Sequence, residues 1–86
     1  FTKDEVLALK INLKRSEERV EKLLMMEETI SKKLADPEIY SDNKKDELIA
    51  LNTKYAEVRK AITRAEDLWD KAQKTLDEAL STKTSE

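Results

Sequence analysis

The chain has 86 residues, of which 42 % are charged and 5 % aromatic, and its 17 basic and 19 acidic side chains leave a net charge of −2. A balance so close to neutral gives no overall attraction to nucleic acid or acidic membranes, so such binding requires basic residues sorted onto one face. The absence of cysteine excludes a disulfide framework and a thiolate metal site, and it favours a cytoplasmic location.

The composition and the apolar runs indicate a helical protein that does not enter a membrane. Ala, Leu, Glu and Lys dominate, as they do in long helices and coiled coils. The longest apolar run, residues 23–26, is far too short to span a bilayer. Because the chain starts with Phe1 rather than methionine, we expect it to be part of a larger protein.

The first helix is marked by a start signal and by a regular apolar stripe. Thr2 and Glu5 have the spacing of a capping box, and Phe1 and Val6 have that of a hydrophobic staple. These signals predict a helix from about residue 3 to about residue 34. One stripe of this helix repeats in alternating steps of three and four, the heptad pattern of a helix that pairs with another, and we call it the seam: Val6, Leu9, Leu13, Ser16, Val20, Leu23, Glu27, Ile30 and Leu34.

The chain is predicted to reverse at the stretch that holds its only proline. Pro37 has no N–H to donate, so it fits the first turn of a helix and breaks a helix interior. Asp36 before it is a good N-cap, so this dipeptide predicts a local helix start. Because helical pattern continues without interruption on both sides, we expect residues 35–42 to form the tip of a hairpin.

A second helix is predicted from about residue 43 to about residue 80, with Asp42 as its N-cap and Ser41 as the competing cap. The tail, residues 81–86, has no apolar residue and is expected to fray. The seam of this second helix has no broken step: Leu48, Leu51, Tyr55, Val58, Ile62, Ala65, Trp69, Ala72, Leu76 and Ala79.

The two seams can pair if the chain folds back near residue 41, so that facing residue numbers sum to about 82. This register places Ser16 opposite the small Ala65. It places Glu27 opposite Tyr55, whose hydroxyl would donate to the carboxylate; the alternative puts Glu27 at the seam edge, in contact with water. We therefore predict an all-α fold, a two-helix antiparallel coiled-coil hairpin, with residues 1–86 as a single domain.

The sequence lacks the groups on which most catalytic sites depend. It has no histidine to act as a base, no cysteine nucleophile and no glycine to build a phosphate-binding loop. Its carboxylates lie among lysines without metal-ligand spacing. We expect the chain itself not to be an enzyme and to bind no metal, cofactor or small molecule.

Basic residues are weakly sorted onto one face of the predicted hairpin. The g and c heptad positions carry seven basic and four acidic residues, net +3, whereas the e and b positions on the other face carry five basic and six acidic residues, net −1. Such a basic stripe can follow a phosphate backbone, although a solvated coiled-coil face with mixed charges is the more ordinary interpretation. The residues predicted to contact nucleic acid, DNA or ribosomal RNA, are Arg15, Arg19, Lys22, Lys54, Arg64 and Lys71.

A short apolar stretch off the seam suggests a different kind of contact. Leu24, Met25 and Met26 follow one another in the first helix. A two-helix hairpin is marginal in isolation, so this stretch predicts contact with a partner protein or with a second hairpin.

The tip and the second helix resemble a known family. Residues 34–40 read Leu-Ala-Asp-Pro-Glu-Ile-Tyr, Asp42 follows, and Trp69 precedes Asp70 in the second helix. This arrangement resembles the C-terminal coiled-coil domain of ABC-F ATPases of the Uup type, in which a similar tip joins two antiparallel helices. Asn43 stands where that family often has a second proline.

This resemblance implies a non-catalytic accessory domain of an ABC-F ATPase, of a kind that binds branched or duplex DNA or contacts the ribosome. The ATP-binding cassettes of such a protein lie outside this chain. Two alternatives stay open. Residues 36–45, 55–57 and 76–79 are also similar to the N-terminal helical domain of class I peptide-chain release factors, which implies a partner-binding module. A purely structural coiled coil needs no ligand at all.

Overall fold

The computed structural model describes residues 1–84, and the side chains of residues 1–81. The helices contain 33 and 40 residues, so they are roughly 50 Å and 60 Å long at the rise of an α-helix. They run antiparallel and pack against each other along their length, which confirms the predicted all-α helical hairpin. The elements are α1 (Lys3–Ala35), two short 3₁₀ turns (Pro37–Tyr40 and Asp42–Lys44) and α2 (Lys45–Thr84).

The predicted start of α1 at Lys3 and the Thr2 half of its capping box are confirmed. The Glu5 N–H donates to Thr2 Oγ1 at 3.1 Å, and the Val6 N–H donates to the Thr2 carbonyl at 3.0 Å. The first bond satisfies a donor that the first turn of a helix otherwise leaves open, and the second is the first regular hydrogen bond of α1. Asp4 and Glu5 also place negative charge at the positive end of the helix dipole.

The reversal at the tip is held by side-chain hydrogen bonds and needs no glycine. Asp36 Oδ1 accepts from the Glu38 N–H at 3.0 Å and caps the first 3₁₀ turn, which begins with Pro37. The Tyr40 hydroxyl donates to the Leu34 carbonyl at 2.7 Å, which satisfies one of the carbonyls left open at the end of α1. No described residue has a positive φ, so the turn fits a chain without glycine.

The prediction that Asp42 caps α2 is wrong. Ser41 precedes the second 3₁₀ turn as its N-cap, but its hydroxyl caps no backbone N–H: it lies 2.7 Å from the Glu38 carbonyl and 2.9 Å from Asn43 Oδ1, the two acceptors open to it. The Lys44 N–H bonds to the Ser41 carbonyl at 3.0 Å, which closes a 3₁₀ turn before the α-helix. As a result α2 begins at Lys45, two residues later than predicted.

The tail that was expected to fray is helical as far as the structure describes it. The helix continues through residues 81–84, and residues 85–86 lie outside the described part of the chain. No proline or glycine follows Leu80, so nothing in the sequence interrupts the helical hydrogen bonds there.

Both predicted seams form the core, since every seam position is buried or half-buried. The buried residues group into two clusters, one at the open end of the hairpin and one toward the tip. The open-end cluster is Val6, Leu76 and Ala79, with Leu9 and Leu13 packed against it. The tip cluster is Ile30, Val58 and Ile62, with Leu23, Leu34, Leu51 and Tyr55 packed against it.

One core residue lies outside both seams. Ile39, in the first 3₁₀ turn, is only 5 % exposed. The heptad pattern ends at Leu34 and begins again at Leu48, so it makes no prediction about the burial of residues in the turn. The burial of Ile39 extends the core into the tip.

The predicted partner of Glu27 is also wrong. Arg59, one helical turn beyond Tyr55, donates from its Nη1 to Glu27 Oε2 at 2.7 Å. The numbers 27 and 59 sum to 86, whereas the predicted register required about 82.

A register in which facing numbers sum to about 85 accounts for this contact. It sets each a position of α1 against a d position of α2, as knobs-into-holes packing between antiparallel helices requires. It pairs Leu23 with Ile62, and both belong to the tip cluster. In this register Ser16 lies opposite Trp69 instead of Ala65, so a small side chain accommodates the largest one.

Removing the Tyr40 hydroxyl with Tyr40→Phe should lower the free energy of unfolding by about 1 kcal/mol, because the Leu34 carbonyl loses its side-chain donor. Urea denaturation followed by far-UV circular dichroism measures the change. Tyr55→Phe is the matched control, since the Tyr55 hydroxyl makes no hydrogen bond within the described residues. Equal losses in the two variants would contradict the role assigned to the tip hydrogen bond.

Candidate nucleic-acid interface

Three of the six predicted residues meet in one groove. Arg15, Arg19 and Lys22 follow one another along α1 at helical spacing, so they share one face. They line a groove of about 630 Å³, to which Leu68 of α2 contributes an exposed apolar side chain. We call it the basic groove, and its residues are Arg15, Ser16, Glu18, Arg19, Lys22, Leu23 and Leu68.

The other three predicted residues lie apart from the basic groove. Lys54 lines a second groove, of about 390 Å³, nearer the tip. Arg64 and Lys71 are exposed and line neither groove, and Lys71 Nζ is 3.1 Å from Asp67 Oδ2, one turn away on the same helix. The remaining residues of the second groove are Met25, Met26, Thr29, Ile30, Lys33 and Leu51.

The cations of the basic groove are free to meet an external anion. Arg15, Arg19 and Lys22 form no ion pair with any described residue. The groove also contains Glu18, so its net charge is +2, three cations minus one carboxylate. Charge-assisted hydrogen bonds from guanidinium and ammonium groups are the strongest that a surface can offer to a phosphate.

An acidic groove lies on the opposite face of the same part of the hairpin. Glu17 and Glu21 of α1 and Glu66 of α2 line it together with Val20 and Trp69, and it encloses about 300 Å³. None of these three carboxylates forms an ion pair with a described residue. The Trp69 indole nitrogen is buried and has no hydrogen-bond acceptor within the described part of the chain.

The net charge of the e and b positions does not reveal this acidic groove. Taken together, those positions carry five basic and six acidic residues, a net charge of −1. The available signal was local: Glu17, Glu21 and Glu66 all occupy e or b positions close to the seam residue Trp69. Lysines at other e and b positions offset these three carboxylates in the net charge of the face.

The ion pair of Glu27 belongs to the hairpin itself. Arg59 is 58 % exposed and Glu27 is 22 % exposed, so the pair lies at the edge of the seam. The hydrogen bond and the charge of Glu27 raise the pKa of Arg59 above its ordinary value. Arg59 thus neutralises the Glu27 carboxylate at the boundary of the core, and its guanidinium is already occupied by this ion pair.

Two other kinds of site are absent from the described residues. No helix among residues 1–84 is both long enough and apolar enough to cross a membrane. The same residues contain no group of three or more acidic side chains placed to hold a metal ion.

Comparison of the chain with protein-family models, with curated proteins and with solved structures gives no match. The resemblance of the tip to ABC-F coiled-coil domains therefore stays a prediction from the sequence.

Replacing Glu27 with leucine should raise the free energy of unfolding by about 1 kcal/mol, because a seam position that holds a carboxylate would then bury apolar surface. Arg59 is more than half exposed and keeps its hydration when its partner is removed. Urea denaturation measures the effect, with Glu28→Leu at the neighbouring exposed position as the control. A loss of stability in the Glu27→Leu variant would show that the ion pair contributes more than the leucine does.

Proposed function

We propose that the hairpin is a non-catalytic nucleic-acid-binding module, an accessory coiled-coil domain of an ABC-F ATPase that contacts DNA or ribosomal RNA through its basic face. The observation that carries the proposal is the basic groove, where Arg15, Arg19 and Lys22 lie together without ion-pair partners. The resemblance of the tip supplies the parent protein and the class of ligand.

The spacing of these cations suits a phosphate backbone. From Arg15 to Lys22 the helix rises roughly 10 Å, and over that length duplex DNA presents several phosphates. Arg64 and Lys54 of α2 occupy c and g positions, so they extend the same face along the second helix.

The character of the face favours contact with the backbone over the reading of bases. Its described grooves contain no aromatic side chain on which a base could stack. Phosphate contacts position a protein without selecting a sequence. We therefore expect binding that depends strongly on salt and that prefers duplex or folded nucleic acid to single strands.

A second candidate function is contact with a protein, and the second groove favours it. Met25 is 68 % exposed and Met26 is 41 % exposed beside Ile30 and Leu51. Exposed methionines at a concave surface are typical of adaptable protein contacts. This candidate agrees with the alternative resemblance, to the partner-binding helical domain of class I release factors.

Neutralising the basic face should weaken nucleic-acid binding about tenfold or more and reduce its dependence on salt, because phosphate contacts release counterions. Fluorescence anisotropy with labelled duplex DNA, branched DNA and a folded ribosomal RNA fragment measures both quantities. The variant is Arg15→Gln, Arg19→Gln, Lys22→Gln and Arg64→Gln together.

The matched control removes the same amount of charge from the e and b positions of the other face: Lys3→Gln, Lys10→Gln, Lys14→Gln and Lys45→Gln. We expect it to weaken binding about twofold at most, through net charge alone. Equal weakening in the two variants would contradict the assigned face. Failure of the unmodified chain to bind any of the three nucleic acids at low salt would contradict the function.

A further inference from the structure

The basic and acidic grooves occupy the same level of the hairpin on opposite faces. Residues 15–23 of α1 supply the α1 side of both, while α2 contributes Leu68 to the basic groove and Glu66 and Trp69 to the acidic groove. The two grooves differ in charge: three cations and one carboxylate give the basic groove a net charge of +2, and three carboxylates give the acidic groove a net charge of −3.

Each groove also has apolar side chains in its lining. Leu68 is 57 % exposed within the basic groove. Trp69, with Val20 beside it, gives the acidic groove an apolar wall. The two grooves thus have opposite charge, and each has an apolar side chain that the other can cover.

We propose that a second copy of this chain docks its basic groove onto the acidic groove of the first, so that hairpins associate side by side. The cations Arg15, Arg19 and Lys22 of one copy meet the carboxylates Glu17, Glu21 and Glu66 of the next. These six groups have no ion-pair partner inside the described chain, so the contact breaks no existing ion pair. The inference does not depend on nucleic-acid binding.

The proposed contact joins two different surfaces of the chain, so the interface is heterologous. Whatever the number of copies, the copy at one end of the assembly keeps a free basic groove and the copy at the other end keeps a free acidic groove. The assembly therefore grows with concentration instead of stopping at a dimer. A nucleic acid in the basic groove would compete with it.

Sedimentation velocity over a range of protein concentrations tests the proposal. At low salt the unmodified chain should show a sedimentation coefficient that rises with concentration, and high salt should return it to the monomer, because exposed charges are screened. Neutralising the acidic groove with Glu17→Gln, Glu21→Gln and Glu66→Gln should weaken association about tenfold or more. Neutralising the basic groove with Arg15→Gln, Arg19→Gln and Lys22→Gln should do the same.

The decisive sample is an equal mixture of these two variants. Each keeps one intact groove, so the mixture should form a dimer of one copy of each and nothing larger. The matched control, Glu28→Gln, Glu57→Gln and Asp77→Asn, removes three exposed acids outside the acidic groove and should associate as the unmodified chain does. Helix content by circular dichroism confirms that every variant is folded.

Three results would overturn the proposal. They are an unmodified chain that is monomeric at all concentrations in low salt, association that survives in either groove variant, and a mixture that stays monomeric. The acidic-groove variant also separates this inference from the proposed function, since it retains the complete basic face and should still bind nucleic acid.

Discussion

The pairing of two narrow apolar seams is the interaction on which the whole hairpin depends. Each seam covers only one stripe of its helix, so neither helix can bury its apolar residues without the other. No large side chain is completely buried among the described residues, and the core consists of thin layers. Stability is thus spread over many small contacts that all require the same register.

That register also decides which charges become neighbours. The positions beside the paired seams carry the charged residues. Because each groove is lined by residues of both helices, a shift of one helix along the other would change which residues line every groove. In the observed register Arg15, Arg19 and Lys22 adjoin Leu68, while Glu17 and Glu21 adjoin Trp69. The basic face proposed for nucleic acid and the complementary faces proposed for self-association are both consequences of core packing.

The sequence predicted the helices and seams well because caps and heptads are local signals, as at Thr2 and Val6. It failed on the register, because a shift of three residues still sets apolar residues near apolar ones. The bond between Glu27 and the e-position Arg59 distinguishes the two, because it places the a-position Glu27 opposite the neighbouring d-position residue Val58. The basic residues could be assigned to a face by counting, but the acidic groove could not, since its shape depends on how side chains from both helices meet around Trp69.

Pairwise cysteine crosslinking within one chain tests this register most directly. The chain has no cysteine, so each double variant has a single possible intramolecular disulfide. We expect Val20→Cys with Ala65→Cys, whose numbers sum to 85, to oxidise within the monomer faster than Val20→Cys with Ile62→Cys, whose numbers sum to 82. Faster oxidation of the second pair, or disulfides formed mainly between chains at low protein concentration, would contradict it.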